Sequence, residues 1–302
     1  MAAEKSYIPK MMTVLLSLLM MVSVVLGSTV TSSAATRKFY IPKTFTKETE
    51  TEENPITGTT SYDPRFQRLD CNDFSEDELF LSLINESTDS TNNRFLGYAL
   101  QGNEGIFTND SIRLGKIKEI DFYETTSDGN GKDLKDKHFF NVKNDKLMSH
   151  TISDRQDYGG SVIYNYSYNS KGDLIQITEQ DVTNFGFSQT SKISITYDSK
   201  GRVSKIETLL TNSDGEAKTD TQQFSSYTKD GFPTMEGKTT NRTYNANGQV
   251  IKLMLSYPSD EMYNLFTYDS IGHLTQTADY SVGMEGERMK PDITHYSDYY
   301  AI

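Results

Sequence analysis

Tryptophan is absent from this 302-residue chain, and cysteine occurs once, at Cys71. A single thiol excludes an intrachain disulfide, a thiolate metal cluster and a redox pair. Basic residues are also in short supply: 30 Lys and Arg stand against 42 Asp and Glu, for a formal net charge of −12. A phosphate backbone needs a basic stripe, so the balance argues against nucleic acid as a partner. Anionic lipid headgroups are disfavoured for the same reason. The four histidines, His138, His150, His273 and His295, are scattered and show no pair at metal-ligand spacing. No metal or other cofactor is expected, and no Gly-x-Ser-x-Gly elbow is present for a serine hydrolase. Apolar residues make up only 35% of the chain, which is thin for one thick core.

What the chain does have is tyrosine and phenylalanine, 19 and 15 of them. Phenol rings suit half-buried sheet surface, because the ring packs while the hydroxyl reaches water. One long apolar run exists, Met11–Gly27, preceded by Lys5 and Lys10 and followed by small residues. That order is the pattern of an export signal, with cleavage expected after Ala35. Left uncleaved, the same segment would be the chain's one contact with a membrane. Secretion or display at the cell surface is the expectation in either case.

Composition divides the remainder. Residues 36–70 are polar and acidic and are expected to form an extended linker. In residues 71–110, Ser75 and Glu78 have capping-box spacing, and Leu79, Phe80, Leu83 and Ile84 fall on one helical face. One short helix is expected near 76–85, covering the first strand of the sheet C-terminal to it. From 111 to 302 the chain reads as strand and turn, with alternation in "SVIYNYSY" and "KISITY". The stretch "SDGNGKD", Ser127–Asp133, lacks the later ligands of a calcium loop and reads as a hairpin turn.

Four turns are spelled almost alike: "YNSKG" ending at Gly172, "YDSKG" at Gly201, "YNANG" at Gly248 and "YDSIG" at Gly272. A fifth, "YTKDG" ending at Gly231, has Pro233 in its outgoing strand. The Asp or Asn suits the first position of a type I turn, and glycine suits a left-handed residue that closes a bulged hairpin. An aliphatic residue stands two places after the glycine at Leu174, Val203, Val250 and Leu274, and Ile177, Ile206 and Leu253 stand five places after. Those two positions cannot share a face in a regular strand, so either a bulge separates them or both faces are partly covered. His273 occupies the position that Arg202 holds in its turn and is expected to face solvent.

The spelling resembles the YD repeat of the RHS family, most closely in "YDSKGRV" and less so in "YNSKGDL", "YNANGQV" and "YDSIGHL". The resemblance covers roughly 160–280. It implies an exported bacterial β-repeat protein and assigns no catalytic residue. The fold class expected is all-β: an antiparallel meander of about ten to fourteen strands, as an open sheet or partial shell, with one short N-terminal helix. The function expected is a non-enzymatic surface or secreted module that binds a glycan or protein ligand. Exposed rings at Tyr197, Tyr244 and Tyr268 are its candidate platform, although such rings also serve to fix hairpin register. The alternatives are a hydrolase using paired carboxylates on one sheet face and a purely structural envelope component.

Overall fold

A computed structural model describes residues 39–49, 54–73, 76–84, 91–100, 103–153, 159–182, 188–237, 240–256, 261–281 and 289–302. The expected export segment through Ala35, and the expected cap residue Ser75, lie outside the described residues. Among the described residues, seventeen strands succeed one another. The first six are β1 (Tyr40–Glu48), β2 (Ile56–Asp63), β3 (Arg68–Asn72), β4 (Glu119–Thr125), β5 (Lys132–Lys143) and β6 (Lys146–Ser153). Then come β7 (Ser161–Tyr168), β8 (Leu174–Val182), β9 (Ser188–Tyr197), β10 (Val203–Thr211), β11 (Ala217–Tyr227) and β12 (Pro233–Glu236). The last five are β13 (Thr240–Tyr244), β14 (Val250–Ser256), β15 (Glu261–Tyr268), β16 (Leu274–Tyr280) and β17 (Asp292–Ala301).

Each strand pairs with the next, and β17 pairs back with β1 from Tyr40↔Ala301 to Glu48↔Ile293. The sheet is therefore a closed barrel. The open sheet or partial shell expected from the sequence is overturned by that one long-range pairing. Strands of the expected linker make it possible, because residues 36–70 supply β1, β2 and most of β3. Closure removes both sheet edges at once, which an open array of exposed strands cannot do.

An odd number of strands cannot alternate direction all the way round. One neighbouring pair must be parallel, and it is β3–β4, from Arg68↔Glu119 to Asn72↔Tyr123. A parallel pair needs a long crossover. Here it holds α1 (Glu76–Ile84), α2 (Thr91–Ala99), a 3-10 segment (Asn103–Thr108) and the single-turn α3 (Asp110–Arg113). The sequence led us to expect one helix in this stretch, and the described residues contain three and a 3-10 turn. The crossover runs through the barrel. Phe80 of α1 meets Phe122 of β4 at 6.0 Å, and Phe107 meets Tyr166 of β7 at 5.8 Å. Phe95 of α2 meets Phe224 of β11 at 4.8 Å, and Tyr98 meets Phe266 of β15 at 6.5 Å. Only an interior segment can touch strands so far apart around the ring. The core is this helical plug packed on the inward faces of the strands, with Leu79, Leu83, Leu96, Ile106 and Ile112 essentially inaccessible.

The tyrosine turns are hairpin corners at one end of the barrel. In the first, the Gly172 amide donates to Asn169 O at 3.0 Å, and the Asn169 amide donates to Asp173 O at 2.9 Å. Gly172 has φ +95, and Gly201, Gly231, Gly248 and Gly272 are also left-handed. The register then slips by one: Tyr168 pairs with Leu174, whereas Ser167 pairs with Gln176, leaving Ile175 as an outward bulge. The same slip occurs at Tyr197, Tyr244 and Tyr268. This bulge turns both aliphatic positions inward, so Leu174 and Ile177 are fully buried, as are Val203 and Ile206.

Candidate functional site

The candidate platform tyrosines face inward. The Tyr197 hydroxyl donates to Leu174 O at 2.7 Å, Tyr244 to Pro233 O at 2.7 Å and Tyr268 to Val250 O at 2.7 Å. Tyr168 and Tyr227 do the same with Leu147 O and Val203 O, both at 2.9 Å, and Tyr299 does so with Leu274 O. For Tyr197, Tyr227, Tyr244, Tyr268 and Tyr299, the acceptor is the residue two places after the glycine of the preceding turn. At Leu174, Val203, Val250 and Leu274 the bulge takes that carbonyl out of the regular ladder, and the next tyrosine supplies its donor; at Pro233 the tyrosine bond forms without a register slip. Burial pushes the hydroxyls of Tyr197, Tyr244 and Tyr268 up from the ordinary phenol range. These rings are latches between successive hairpins, and the exposed platform is corrected accordingly. A carbonyl waiting for a donor at each corner explains why tyrosine, rather than phenylalanine, recurs.

The plug is tied to the same end. Asn92 at the start of α2 donates to Gly201 O at 2.6 Å and accepts from the Val203 amide at 3.3 Å. Arg94 donates to Asn247 O. His273 is also part of this closed end, buried between Tyr40 and Tyr299 with Nδ1 2.9 Å from Asp269 Oδ2. The solvent-facing position expected for it is corrected, because closing the barrel lays β1 and β17 over that turn.

Sequence spacing also missed a histidine pair. His138 Nδ1 lies 2.9 Å from His150 Nε2, both rings are fully buried, and His138 Nε2 lies 3.3 Å from Glu76 Oε1 of α1. The two residues are 12 apart in sequence, but they flank a hairpin whose apex is Asn144–Asp145, with Phe140 opposite His150. Counting outward from that apex brings them to diagonal positions on one face, a signal that metal-ligand spacing does not test. The chain of polar groups continues along the inner wall. His150 stacks on Tyr164, whose hydroxyl lies 3.5 Å from Glu179 Oε1, and the Ser191 hydroxyl donates to Glu179 Oε2 at 2.6 Å. Among the described residues, no group of three or more potential ligands is placed to hold a metal.

Away from the tyrosine turns the inner wall changes character. Register places Asp220 on the inward side, opposite Thr208, and Gln189 opposite Asp181, yet Asp220 and Gln189 are exposed. Asp279 is inward too, opposite Asp292 and bonded to Asn264, and it is also exposed. Partial desolvation lifts the Asp279 carboxyl above the ordinary range, and Asp292 adds to the lift. The wall is lowest at β12 and β13, four and five residues long, beside the eleven of β11. Just inside that low section, Arg242 is bonded to Glu236 at 2.7 Å with its guanidinium over the rings of Phe95 and Phe224. Solvent thus reaches a polar, mainly acidic inner surface at this end.

The outer wall has two characters as well. On β7, β9 and β11 the exposed outward residues include Asn165, Ser167, Lys192, Thr196, Gln223 and Ser225. On β14–β17 the outward positions include Met254, Leu265 and Ile293, with Tyr263 and Tyr280 stacked at 4.5 Å and the Lys252 ammonium over Tyr263. A barrel that spans a membrane is apolar outside and polar within. On β7–β11 the outer face mixes those polar residues with exposed Ile175 and Leu209, and the inner face carries Gln189 and Asp220 beside its buried aliphatics.

No family model matches this chain, and no curated protein does. Among solved structures it is similar to a porin-like protein from Bacteroides uniformis ATCC 8492, at 13% identity over 85% of this chain and 96% of that one, with a TM-score of 0.42. The YD-like spelling here marks the corners of a single closed barrel, and the description of the chain as an open repeat array is withdrawn with the open sheet.

Proposed function

We propose that the protein is an exported, non-enzymatic β-barrel, secreted or held at the cell surface, which takes a glycan against the polar inner wall at the end away from the tyrosine turns. The observation that carries this reading is the exposure of Gln189, Asp220 and Asp279, which register places on the inner face. Carboxylate and amide side chains exchange hydrogen bonds with neighbouring hydroxyls, and the mouth of a barrel is a recurring place for a ligand. The apolar run at Met11–Gly27 supports export, and the exposed polar outward residues of β7, β9 and β11 support contact of that wall with water.

The test is retention of the mature protein on immobilised cell-wall and host polysaccharides, repeated with Asp220→Ala and Asp279→Ala. Retention by one polysaccharide that weakens in these variants supports the reading, and retention by none removes it. A protein partner on the outer wall of β14–β17 is the second reading, favoured by the apolar patch around Tyr263 and Tyr280. Loss of a captured protein on Leu265→Asp, with glycan retention unchanged, would select it.

A further inference from the structure

The geometry points to an acid-sensitive lock on the helical plug, made by Glu76, His138 and His150. Beside its buried apolar face, helix α1 has a polar contact near each end. At its start Glu76 Oε1 lies 3.3 Å from His138 Nε2, and at its end Leu83 O accepts from Asn109 Nδ2 at 2.7 Å. The second contact is between neutral groups and does not change with pH. The first belongs to a hydrogen-bonded chain with a limited capacity for protons.

Between His138 Nδ1 and His150 Nε2, 2.9 Å apart, there is room for one proton. With Glu76 ionised, neutral His138 donates from Nε2 to Glu76 and accepts at Nδ1 from His150. One added proton is tolerated, because an imidazolium at His138 donates to both neighbours. A second is not. Two imidazolium rings would aim N–H donors at each other in a site that water does not reach, flanked by Phe80, Phe122 and Phe140. Among the described residues, the other titratable groups facing this pair are Asp136 two residues before His138 on the inner face of β5, Tyr164 on β7, and Glu179 on β8 beyond it. Asp136 and Glu179 favour the first proton while they are ionised. Neither relieves the head-to-head contact that the second creates.

With α1 withdrawn, both rings meet water and each takes its own proton. The withdrawn state therefore binds one proton more than the docked state. Linkage fixes the sign: docking weakens as pH falls, roughly tenfold per pH unit once the second proton is in play. The strand ladders do not run through α1, so they can keep their hydrogen bonds, with α2 still packed inside, while α1 loosens.

Hydrogen exchange of the full-length mature protein, read by mass spectrometry across a pH series and corrected for intrinsic rates, tests the lock. Expected is a loss of protection in residues 76–84 on acidification, while β7–β10 keep theirs. His150→Phe removes one proton site and extends the aromatic stack between Phe140 and Tyr164, so its plug should stay protected to lower pH. Should that variant fail to fold, imidazole nitrogen NMR of the native protein gives a second readout. Opposite tautomeric roles at the two rings, lost together with α1 protection, support the lock. Unchanged α1 protection in acid, equal loss in His150→Phe, or simultaneous loss across β7–β10 overturns it.

Discussion

The two ends of this barrel are built from the same strands and behave oppositely. At the tyrosine end, the inward positions Leu174, Val203, Val250 and Leu274 are at most 2% exposed. At the other end, Gln189, Asp220 and Asp279 are also inward and stand in solvent. Strand pairing is continuous between the two, so the ladder does not cause the difference. What differs is what lies against the wall. One end has the latching tyrosines and the first turn of α2, and the other has polar side chains, with Asp279 facing Asp292. A closed barrel can therefore be sealed at one end and leave the inner wall of the other in solvent.

The largest effect expected lies where the sealed region meets the low wall. Arg242→Met leaves Glu236 without its partner in a half-buried site and should cost about 3–5 kcal/mol in urea denaturation. Asp220→Ala on the open inner wall should change the stability by less than about 0.5 kcal/mol. Equal effects at the two sites would erase the contrast. Next come two glycines with nearly the same backbone, φ +75 at Gly248 and +76 at Gly201. A Cβ at Gly248 would sit 2.4 Å from the buried Phe232 ring, whereas at Gly201 nothing lies within 4 Å. Gly248→Ala should cost about 3 kcal/mol, combining overpacking with left-handed strain, and Gly201→Ala about 1 kcal/mol from strain alone.

A smaller loss is expected from the latches. Tyr268→Phe keeps the ring but strands Val250 O, for about 1–2 kcal/mol by the same denaturation measurement. If it is neutral, the hydroxyls are incidental and ring packing alone seals that end. The smallest effect has the opposite sign. Partial desolvation raises the Asp279 carboxyl above its unfolded value, so its charge weakens the folded state at neutral pH. That penalty fades as pH falls through the folded value and the carboxyl takes its proton. Asp279→Asn should accordingly raise the thermal midpoint at neutral pH, with the gain vanishing in acid. A lower midpoint at neutral pH would mean that Lys47 and Asn264 outweigh desolvation and Asp292.

Much of the local structure was legible. The Tyr-to-Gly spelling located five corners, and the aliphatic residues two and five places after the glycines required a bulge or a second covered face; the structure has the bulge. Other features were hidden for identifiable reasons. Residues 40–48 carry Thr and Lys between Ile41 and Phe45, and read as tether until β17 lies beside them. Helix α2, TNNRFLGYA, has little apolar content, because its polar first turn is spent on the Gly201 and Asn247 carbonyls. The histidine pair needed a hairpin apex to be located first.

The sequence by itself determined the corners, the alternation along each strand and the export pattern, because each depends on residues only a few places apart. Closure, the plug's place inside the ring and the division into a sealed and an open end were decided by tertiary structure. Each joins residues far apart in the chain, such as Tyr40 to Ala301 and Phe95 to Phe224. Local preference is blind to such pairs, since their energy exists only when the ring is complete.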